Sequence, residues 1–172
     1  DYIMNRLQKY NRAARISGAP WIILVDLNNS DQCAPPFVRK NLPSPDPNLY
    51  FRVAVREIEA WLLADREKMA DFLNIAKSLI PPHPEQLGDP KNELIELAKR
   101  SPNRKIREDI IPRQGSGAKQ GRLYNPRLIE FIEKFWRPRI ASEKAGSLKK
   151  FIKAVKGIRK TFQNKGVKLN GV

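Results

Sequence analysis

Two oxygen-bearing side chains, Asp26 and Asn28, stand directly after the apolar run of residues 21–25. The run is short, continuous and bounded by turn residues, which predicts a strand buried on both faces in a parallel sheet. Open α/β sheets bind ligands beyond the carboxyl ends of their strands, and a carboxylate with a second oxygen ligand suits a hard cation such as Mg²⁺. The alternative is that both residues only form a turn, which Asp and Asn favour.

A second carboxylate, Glu59, falls on the apolar side of the helix that is predicted to follow the second strand. It lies three and four positions before Leu62 and Leu63, so its side chain is directed at the core. A carboxylate in a core is costly unless it is paired or binds a metal. The alternative to a metal is an ion pair with Arg52 or Arg56.

The second predicted strand, residues 50–55, ends close to Glu59. Neighbouring parallel strands share a carboxyl edge, so Asp26 and Glu59 are expected to approach each other there. Two acidic positions at one edge, with Asn28 as a further oxygen ligand, predict a weak site for Mg²⁺ or Mn²⁺. Glu57 projects in a different direction and is the weaker candidate.

Residues 113–121, Arg-Gln-Gly-Ser-Gly-Ala-Lys-Gln-Gly, form a glycine-rich basic segment. The glycine spacing and the Gln after the lysine exclude a Walker A phosphate loop. Exposed backbone N–H groups, together with Arg113, Lys119 and Arg122, still suit a generic anion such as a nucleic-acid backbone. The alternative is a flexible, solvated loop.

Charge is the most informative property of the composition. The 172 residues contain 33 Lys and Arg against 18 Asp and Glu, a formal net charge of +15. Residues 137–172 hold eleven of these basic residues and one acid, which accounts for +10 of the excess. Such a balance attracts phosphate backbones, although a solvated basic surface without a single partner is the alternative. Six basic side chains of the last predicted helix are expected to bind nucleic acid: Lys149, Lys150, Lys153, Lys156, Arg159 and Lys160.

Cysteine and histidine usage excludes several classes of site. Cys33 is the only cysteine, which excludes a disulfide framework and a Cys-based zinc site and predicts a reducing, cytoplasmic compartment. The only histidine, His83, lies between prolines in a predicted loop, so the sequence gives no support to a Ser-His-Asp or Cys-His mechanism. No apolar run reaches the length of a membrane span, and no membrane association is expected.

The remaining pattern predicts an α/β protein with a helical C-terminal portion. Residues 1–136 are expected to form one α/β domain and residues 137–172 a basic helical extension. Because the chain enters a helical pattern at once, its natural N-terminus is expected to lie upstream of Asp1. The proline-rich residues 28–48 are predicted as a loop. Helices are predicted over residues 56–65 and 66–73 as one continuous run, and over 91–100, 103–110, 128–136 and 148–162.

Several segments share the pattern of one known family. They are residues 23–28 (Ile-Leu-Val-Asp-Leu-Asn), 33–36 (Cys-Ala-Pro-Pro), 51–65, 106–109 (Ile-Arg-Glu-Asp), 115–121 and 127–131 (Arg-Leu-Ile-Glu-Phe). The most specific part is Arg-Glu-Ile-Glu-Ala-Trp-Leu-Leu at residues 56–63. From about residue 10 to residue 155 the chain resembles a bacterial and archaeal family of unknown function with a Toprim-like domain.

The resemblance implies a Toprim-like, Rossmann-like, mostly parallel sheet with added helices. Members of the family are often encoded beside AAA or ABC-type ATPases, in contexts that suggest phage defence. Related Toprim nucleases hold Mg²⁺ against a phosphodiester with a glutamate after the first strand, an Asp-x-Asp after a later strand, and a further acid. This sequence departs twice from that pattern: the first-strand glutamate has no counterpart, and Asp26-Leu27-Asn28 replaces Asp-x-Asp. The resemblance therefore implies a further strand upstream of Asp1 that carries this glutamate.

Three functions compete on these grounds. In the first, a metal-dependent nuclease-like domain acts on nucleic acid with an ATPase partner, and Asp26 and Glu59 are its catalytic residues. In the second, the chain is a non-catalytic nucleic-acid-binding or adapter subunit. In the third, its basic face binds an acidic protein. DNA versus RNA and the oligomeric state stay open.

Overall fold

The computed structural model describes residues 2–28 and 33–164, with side chains up to residue 160. The chain folds as a mixed α/β protein in which helices predominate. The strands are β1 (Trp21–Asp26) and β2 (Leu49–Ala54). The helices are α1 (Leu7–Ser17), α2 (Ala34–Asn41), α3 (Ile58–Leu63), α4 (Arg66–Leu73), α5 (Pro90–Lys99), α6 (Arg104–Ile110), α7 (Tyr124–Lys134), α8 (Pro138–Ala141) and α9 (Gly146–Asn164). Within these described residues, no helix has the length and hydropathy needed to cross a membrane.

β1 and β2 pair in parallel, in register from Trp21 opposite Leu49 to Asp26 opposite Ala54. Both predicted strands and their parallel direction are confirmed. The prediction that β1 is buried on both faces is wrong, because the side chain of Ile22 is 42% exposed. In the part of the chain that the structure describes, the sheet has only these two strands and offers little area for a covering layer. The larger Toprim-like sheet and the upstream strand stay predictions.

Helix α2 contradicts the prediction of a continuous loop over residues 28–48. Pro35 and Pro36 stand in the first turn of α2, where a backbone N–H needs no partner within the helix. Phe37 then packs against the sheet, with its ring centroid 6.4 Å from that of Phe51. The prolines therefore begin a helix that covers one end of β2.

Three groups of buried apolar side chains join the elements. The largest connects α3 to α7 and includes Leu63, Met69, Leu94, Ile110 and Phe131. The second joins the sheet to α1 and α2. In the third, α8 and α9 pack against α3, and the rings of Trp61 and Phe151 lie 5.4 Å apart. The helices predicted over residues 91–100, 103–110 and 148–162 are confirmed, and α7 begins four residues earlier than residue 128.

Asp65 divides the helix predicted over residues 56–73 into α3 and α4. Its carboxylate accepts a hydrogen bond from the backbone N–H of Lys68, which caps the first turn of α4. The same carboxylate accepts hydrogen bonds from the backbone N, Nε and Nη2 of Arg137, at 2.9, 3.0 and 2.7 Å. This contact crosses the predicted boundary between residues 1–136 and 137–172, and that division stays a prediction.

Candidate functional site

Asp26 ends β1 at the carboxyl edge of the sheet. Its Oδ1 accepts a hydrogen bond of 3.0 Å from the backbone N–H of Ile58, the first residue of α3. The strand register places Asp26 opposite Ala54, the last residue of β2. The Asp26 carboxylate therefore lies against the first turn of α3, which also contains Glu59.

Glu59 is a buried carboxylate with two polar neighbours from distant elements. Its Oε1 accepts a hydrogen bond of 2.9 Å from the hydroxyl of Tyr124, the first residue of α7. The same oxygen lies 3.9 Å from Nζ of Lys91, in the first turn of α5. The Lys91 ammonium also lies 5.1 Å from the centre of the Tyr124 ring. The ion pair found at Glu59 is therefore with Lys91, whereas the sequence favoured Arg52 or Arg56.

Glu57, the weaker candidate from the sequence, lies at the same edge of the sheet as Asp26 and Glu59. Its Oε2 accepts a hydrogen bond of 3.0 Å from the backbone N–H of Lys91, so the carboxylate caps the start of α5. Glu57 is half-buried, whereas Glu59 is 6% exposed. Asp26, Glu57 and Glu59 thus lie near one another where β1, β2, α3 and α5 converge, although not close enough to form one compact group, and we call these three residues the acidic edge.

The charged forms of Asp26 and Glu57 are disfavoured at the acidic edge. Burial raises the pKa of Asp26 above its usual value, and the nearby Glu59 raises it further, against lowering by the Ile58 N–H and by Lys91. Burial also raises the pKa of Glu57, and the other nearby acids add to this effect. The pKa of Tyr124 is raised by burial and by the charge of Glu59, so its hydroxyl stays a donor at neutral pH. A bound cation would relieve this repulsion.

The ligand geometry at the acidic edge is sparse. Among the residues that the structure describes, no three His, Cys, Asp or Glu side chains lie close enough together to hold a metal ion. Asn28 is exposed, has a left-handed φ of 54°, and donates its backbone N–H to the carbonyl of Arg56 at 2.9 Å. Mg²⁺ keeps several waters and needs only one or two carboxylates, so the oxygen donors present still suit a weak Mg²⁺ or Mn²⁺ site.

The basic residues predicted in the glycine-rich segment lie apart from the acidic edge. Arg113 and Arg122 line a pocket of about 920 Å³ beside α6, together with Arg107. Lys119 is exposed and does not line this pocket. Asp109 also lines it, and its carboxylate accepts a hydrogen bond of 2.7 Å from Nε of Arg127.

The six basic residues predicted on the last helix are exposed on α9, and they divide into two sets. Lys150 and Lys153 line a groove of about 1070 Å³, and the other four do not. One wall of this groove is α2, the floor is β2, and the other wall is α9. We call it the α2–α9 groove.

The α2–α9 groove is basic. The side chains of five basic residues line it: Arg39, Arg52, Arg56, Lys150 and Lys153. Glu85 is the one acidic residue among the described lining residues, and it accepts hydrogen bonds from the backbone N–H groups of Gly146 and Ser147 at 2.8 and 2.9 Å. The start of α9 thereby partly offsets the charge of Glu85. Leu27 and Arg56 also line the groove, and they are the chain neighbours of Asp26 and of Glu57.

Several of these functional residues could not be identified from the sequence. Lys91 and Tyr124 reach Glu59 from α5 and α7, and Tyr124 is 65 positions away from it in the chain. The helical pattern that begins near residue 91 indicates that Lys91 lies at the start of a helix, but it does not indicate that Lys91 pairs with Glu59. Arg39 was missed because its helix, α2, was predicted as a loop.

Comparison of this chain with protein-family models, with curated proteins and with solved structures finds no match. The resemblance to a Toprim-like family therefore stays a prediction from sequence motifs.

Proposed function

We propose that this protein is a nucleic-acid-binding, metal-dependent phosphodiesterase of the nuclease type. The observation that supports this most is the convergence of Asp26, Glu57 and Glu59 at one sheet edge, where the pKa values of Asp26 and Glu57 are raised. Perturbed carboxylates at the carboxyl end of a parallel sheet are typical of a functional site. The formal net charge of +15 suits a polyanionic substrate.

Each residue of the acidic edge has a distinct part in this proposal. Asp26 and Glu57 are half-buried and would hold Mg²⁺ or Mn²⁺, with the exposed Asn28 as a further oxygen ligand. Glu59 is more deeply buried, and its bonds to Tyr124 and Lys91 suit it to position the edge and to complete the ligand set through water. Such a cation, when bound, supplies charge stabilisation at a phosphoryl oxygen and an activated water.

The wider biological setting belongs to the same proposal and is supported by sequence motifs. The match of residues 51–65 to the Toprim-like pattern supports a Toprim-like fold, an ATPase partner and a role in phage defence. The single cysteine supports a reducing, cytoplasmic compartment. The exposed Arg113, Lys119 and Arg122 would add phosphate contacts outside the groove.

A non-catalytic nucleic-acid-binding or adapter subunit is the second candidate. The specific observation in its favour is that Tyr124 and Lys91 already satisfy Glu59. The lack of a compact three-carboxylate group in the described residues points the same way. In this case the basic surface would bind nucleic acid, and the acidic edge would only support the packing of α5 and α7.

A cleavage assay separates the two candidates. Labelled single-stranded DNA and RNA are incubated with the full chain in Mg²⁺, in Mn²⁺ or in EDTA. The proposal predicts cleavage that needs the cation and is lost in Asp26→Asn and in Glu57→Gln. Asp71→Asn is the matched control, because Asp71 is an exposed carboxylate of α4 that pairs with Lys68, and it should cleave like the wild type. Cleavage that persists in EDTA or in Asp26→Asn, or no cleavage in any buffer, contradicts the proposal.

A further inference from the structure

The α2–α9 groove has the charge of a polyanion site and the floor of an apolar one. Its five basic and one acidic lining side chains leave an excess of four positive charges. Between them lie the half-exposed side chains of Tyr50 in β2 and Val55 just after it, above the buried Phe51 and Val53. Pairing of charged walls with an apolar, partly aromatic floor is what single-stranded nucleic acid needs, because its phosphates and its unpaired bases are both exposed.

The wall provided by α9 is shaped to leave this space open. Lys150, Lys153, Ala154 and Gly157 line the groove at intervals of three and four residues, so they form one face of the helix. Ala154 and Gly157 are small, and a Cβ atom built at Gly157 would meet nothing within 4 Å. The two lysines therefore stand beside an open channel instead of a packed interface.

We propose that the α2–α9 groove binds a single strand of nucleic acid, with the phosphates on the basic walls and the bases on the floor formed by β2. This inference deepens the proposed function and rests on it in one respect. The strand would pass close to the acidic edge, since Leu27 and Arg56, the chain neighbours of Asp26 and Glu57, line the groove. Duplex DNA keeps its bases paired inside the helix, so it cannot use the apolar floor. An acidic protein segment has the charge but lacks the regular planar bases that stack on an aromatic ring such as Tyr50.

The first test measures binding in EDTA, so that metal and cleavage do not enter. Fluorescence anisotropy compares a labelled oligothymidylate with a duplex of equal length and with a polyglutamate peptide. Lys150→Gln/Lys153→Gln removes two charges that line the groove. Lys105→Gln/Lys144→Gln is the matched control, because it removes two exposed charges that lie outside both the groove and α9.

The groove variant is expected to bind the single strand about tenfold more weakly, and the control within about threefold of the wild type. Its log–log salt slope should also be shallower by about 1.4, because each phosphate that a lysine neutralises on a single strand contributes about 0.7. Tyr50→Leu should weaken binding about tenfold, whereas Tyr50→Phe keeps the ring and the affinity. Equal losses of affinity in the two lysine variants, tighter binding of the duplex, or equal binding of polyglutamate would overturn the proposal.

The second test needs no substitution, because Cys33 is exposed, lines the groove and is the only cysteine. The rate at which a maleimide alkylates Cys33 is measured in EDTA, with and without saturating oligothymidylate. Occupancy of the groove should slow this reaction several-fold, and the duplex should slow it less. An unchanged rate at an oligonucleotide concentration that saturates the anisotropy signal would place the strand elsewhere and refute the groove assignment.

The two proposals fail in different ways. A single strand that binds in the groove but is never cleaved leaves this inference intact and refutes the phosphodiesterase. Cation-dependent cleavage that the two lysine variants reduce equally supports the acidic edge and refutes the groove.

Discussion

Replacement of Asp26 by Asn is expected to stabilise the fold, because it removes a charge that the acidic edge holds at a cost. Asn keeps an Oδ1 acceptor for the Ile58 N–H at 3.0 Å, so the local hydrogen bond survives. At a reference separation of 4 Å two like charges repel by about 1 kcal/mol in water and about 4 kcal/mol at an effective dielectric constant of 20, and the repulsion weakens as the separation grows. Asp26 is only half-buried, and Lys91 offsets part of the repulsion, so the gain should be about 1 kcal/mol.

The gain should depend on pH in a direction that follows from the raised pKa of Asp26. In the folded chain Asp26 binds its proton more tightly than in the unfolded chain, where the pKa is about 3.9. The free energy of unfolding of the wild type therefore falls as the pH rises from that value through the raised pKa, and Asp26→Asn lacks this fall. The advantage of the variant should be small in acid and complete at neutral pH.

Urea denaturation, followed by circular dichroism in EDTA across this pH range, measures the effect. Asp71→Asn is the control, because Asp71 is exposed and pairs only with a surface lysine, so its replacement should change stability by less than about 0.5 kcal/mol. An Asp26→Asn protein that is less stable than the wild type at neutral pH would refute the reasoning. A gain that persists unchanged in acid would show that its origin is not the charge.

Two further predictions concern the contacts that hold the site in place. Arg137→Gln should lower the free energy of unfolding by about 2 kcal/mol, because it leaves the buried Asp65 without its guanidinium partner. Arg139→Gln, on the exposed side of α8, is the control and should lower it by less than about 0.5 kcal/mol. Burial raises the pKa of Asp65, but the hydrogen bonds from Arg137 outweigh burial and lower that pKa. The loss of stability in Arg137→Gln should therefore disappear as the pH falls through the lowered pKa of Asp65. A loss of stability that does not change with pH contradicts this prediction. Tyr124→Phe removes the hydroxyl that bonds Glu59 and should cost about 1–2 kcal/mol in the same denaturation experiment; an unchanged stability would mean that the bond is not formed in solution.

Local sequence patterns predict most of the elements because hydrophobic periodicity is a local property. The apolar run of β1 and the stripe of α9 are readable from a few adjacent residues. Helix α2 was missed because a proline-rich segment indicates a loop, whereas proline is also well tolerated in the first turn of a helix.

The candidate site was only partly predictable, for a different physical reason. The position of Asp26 follows from its place at the end of β1, and the burial of Glu59 follows from helical spacing. The partners of Glu59 come from helices far along the chain, and no local pattern specifies which helix start packs against α3. The groove likewise needs both α2 and α9 to be placed beside β2, which is a property of the tertiary fold.

Helix α9 combines an apolar packing face with a basic exposed face, and the sequence alone does not separate their effects. Leu148 and Phe151 pack this helix against α3, so a truncation at Ala145 would remove core contacts as well as lysines. Paired substitutions on exposed faces of α9 therefore test nucleic-acid binding more cleanly than truncation does. The same argument favours charge-neutralising Gln substitutions, which keep most of the length of the side chain.

The measurement that tests the central claim most directly is titration calorimetry of Mn²⁺ and Mg²⁺ into four metal-free proteins. The wild type is predicted to bind Mn²⁺ weakly, Asn28→Asp more tightly and Glu59→Gln more weakly, because the first variant adds a carboxylate to the acidic edge and the second removes one. Asn74→Asp is the control, since Asn74 also has a left-handed φ, of 53°, but lies at the end of α4; it should bind like the wild type. Equal binding in all four proteins, or none, would contradict a metal site at the acidic edge and leave Glu59 as a structural partner of Lys91 and Tyr124.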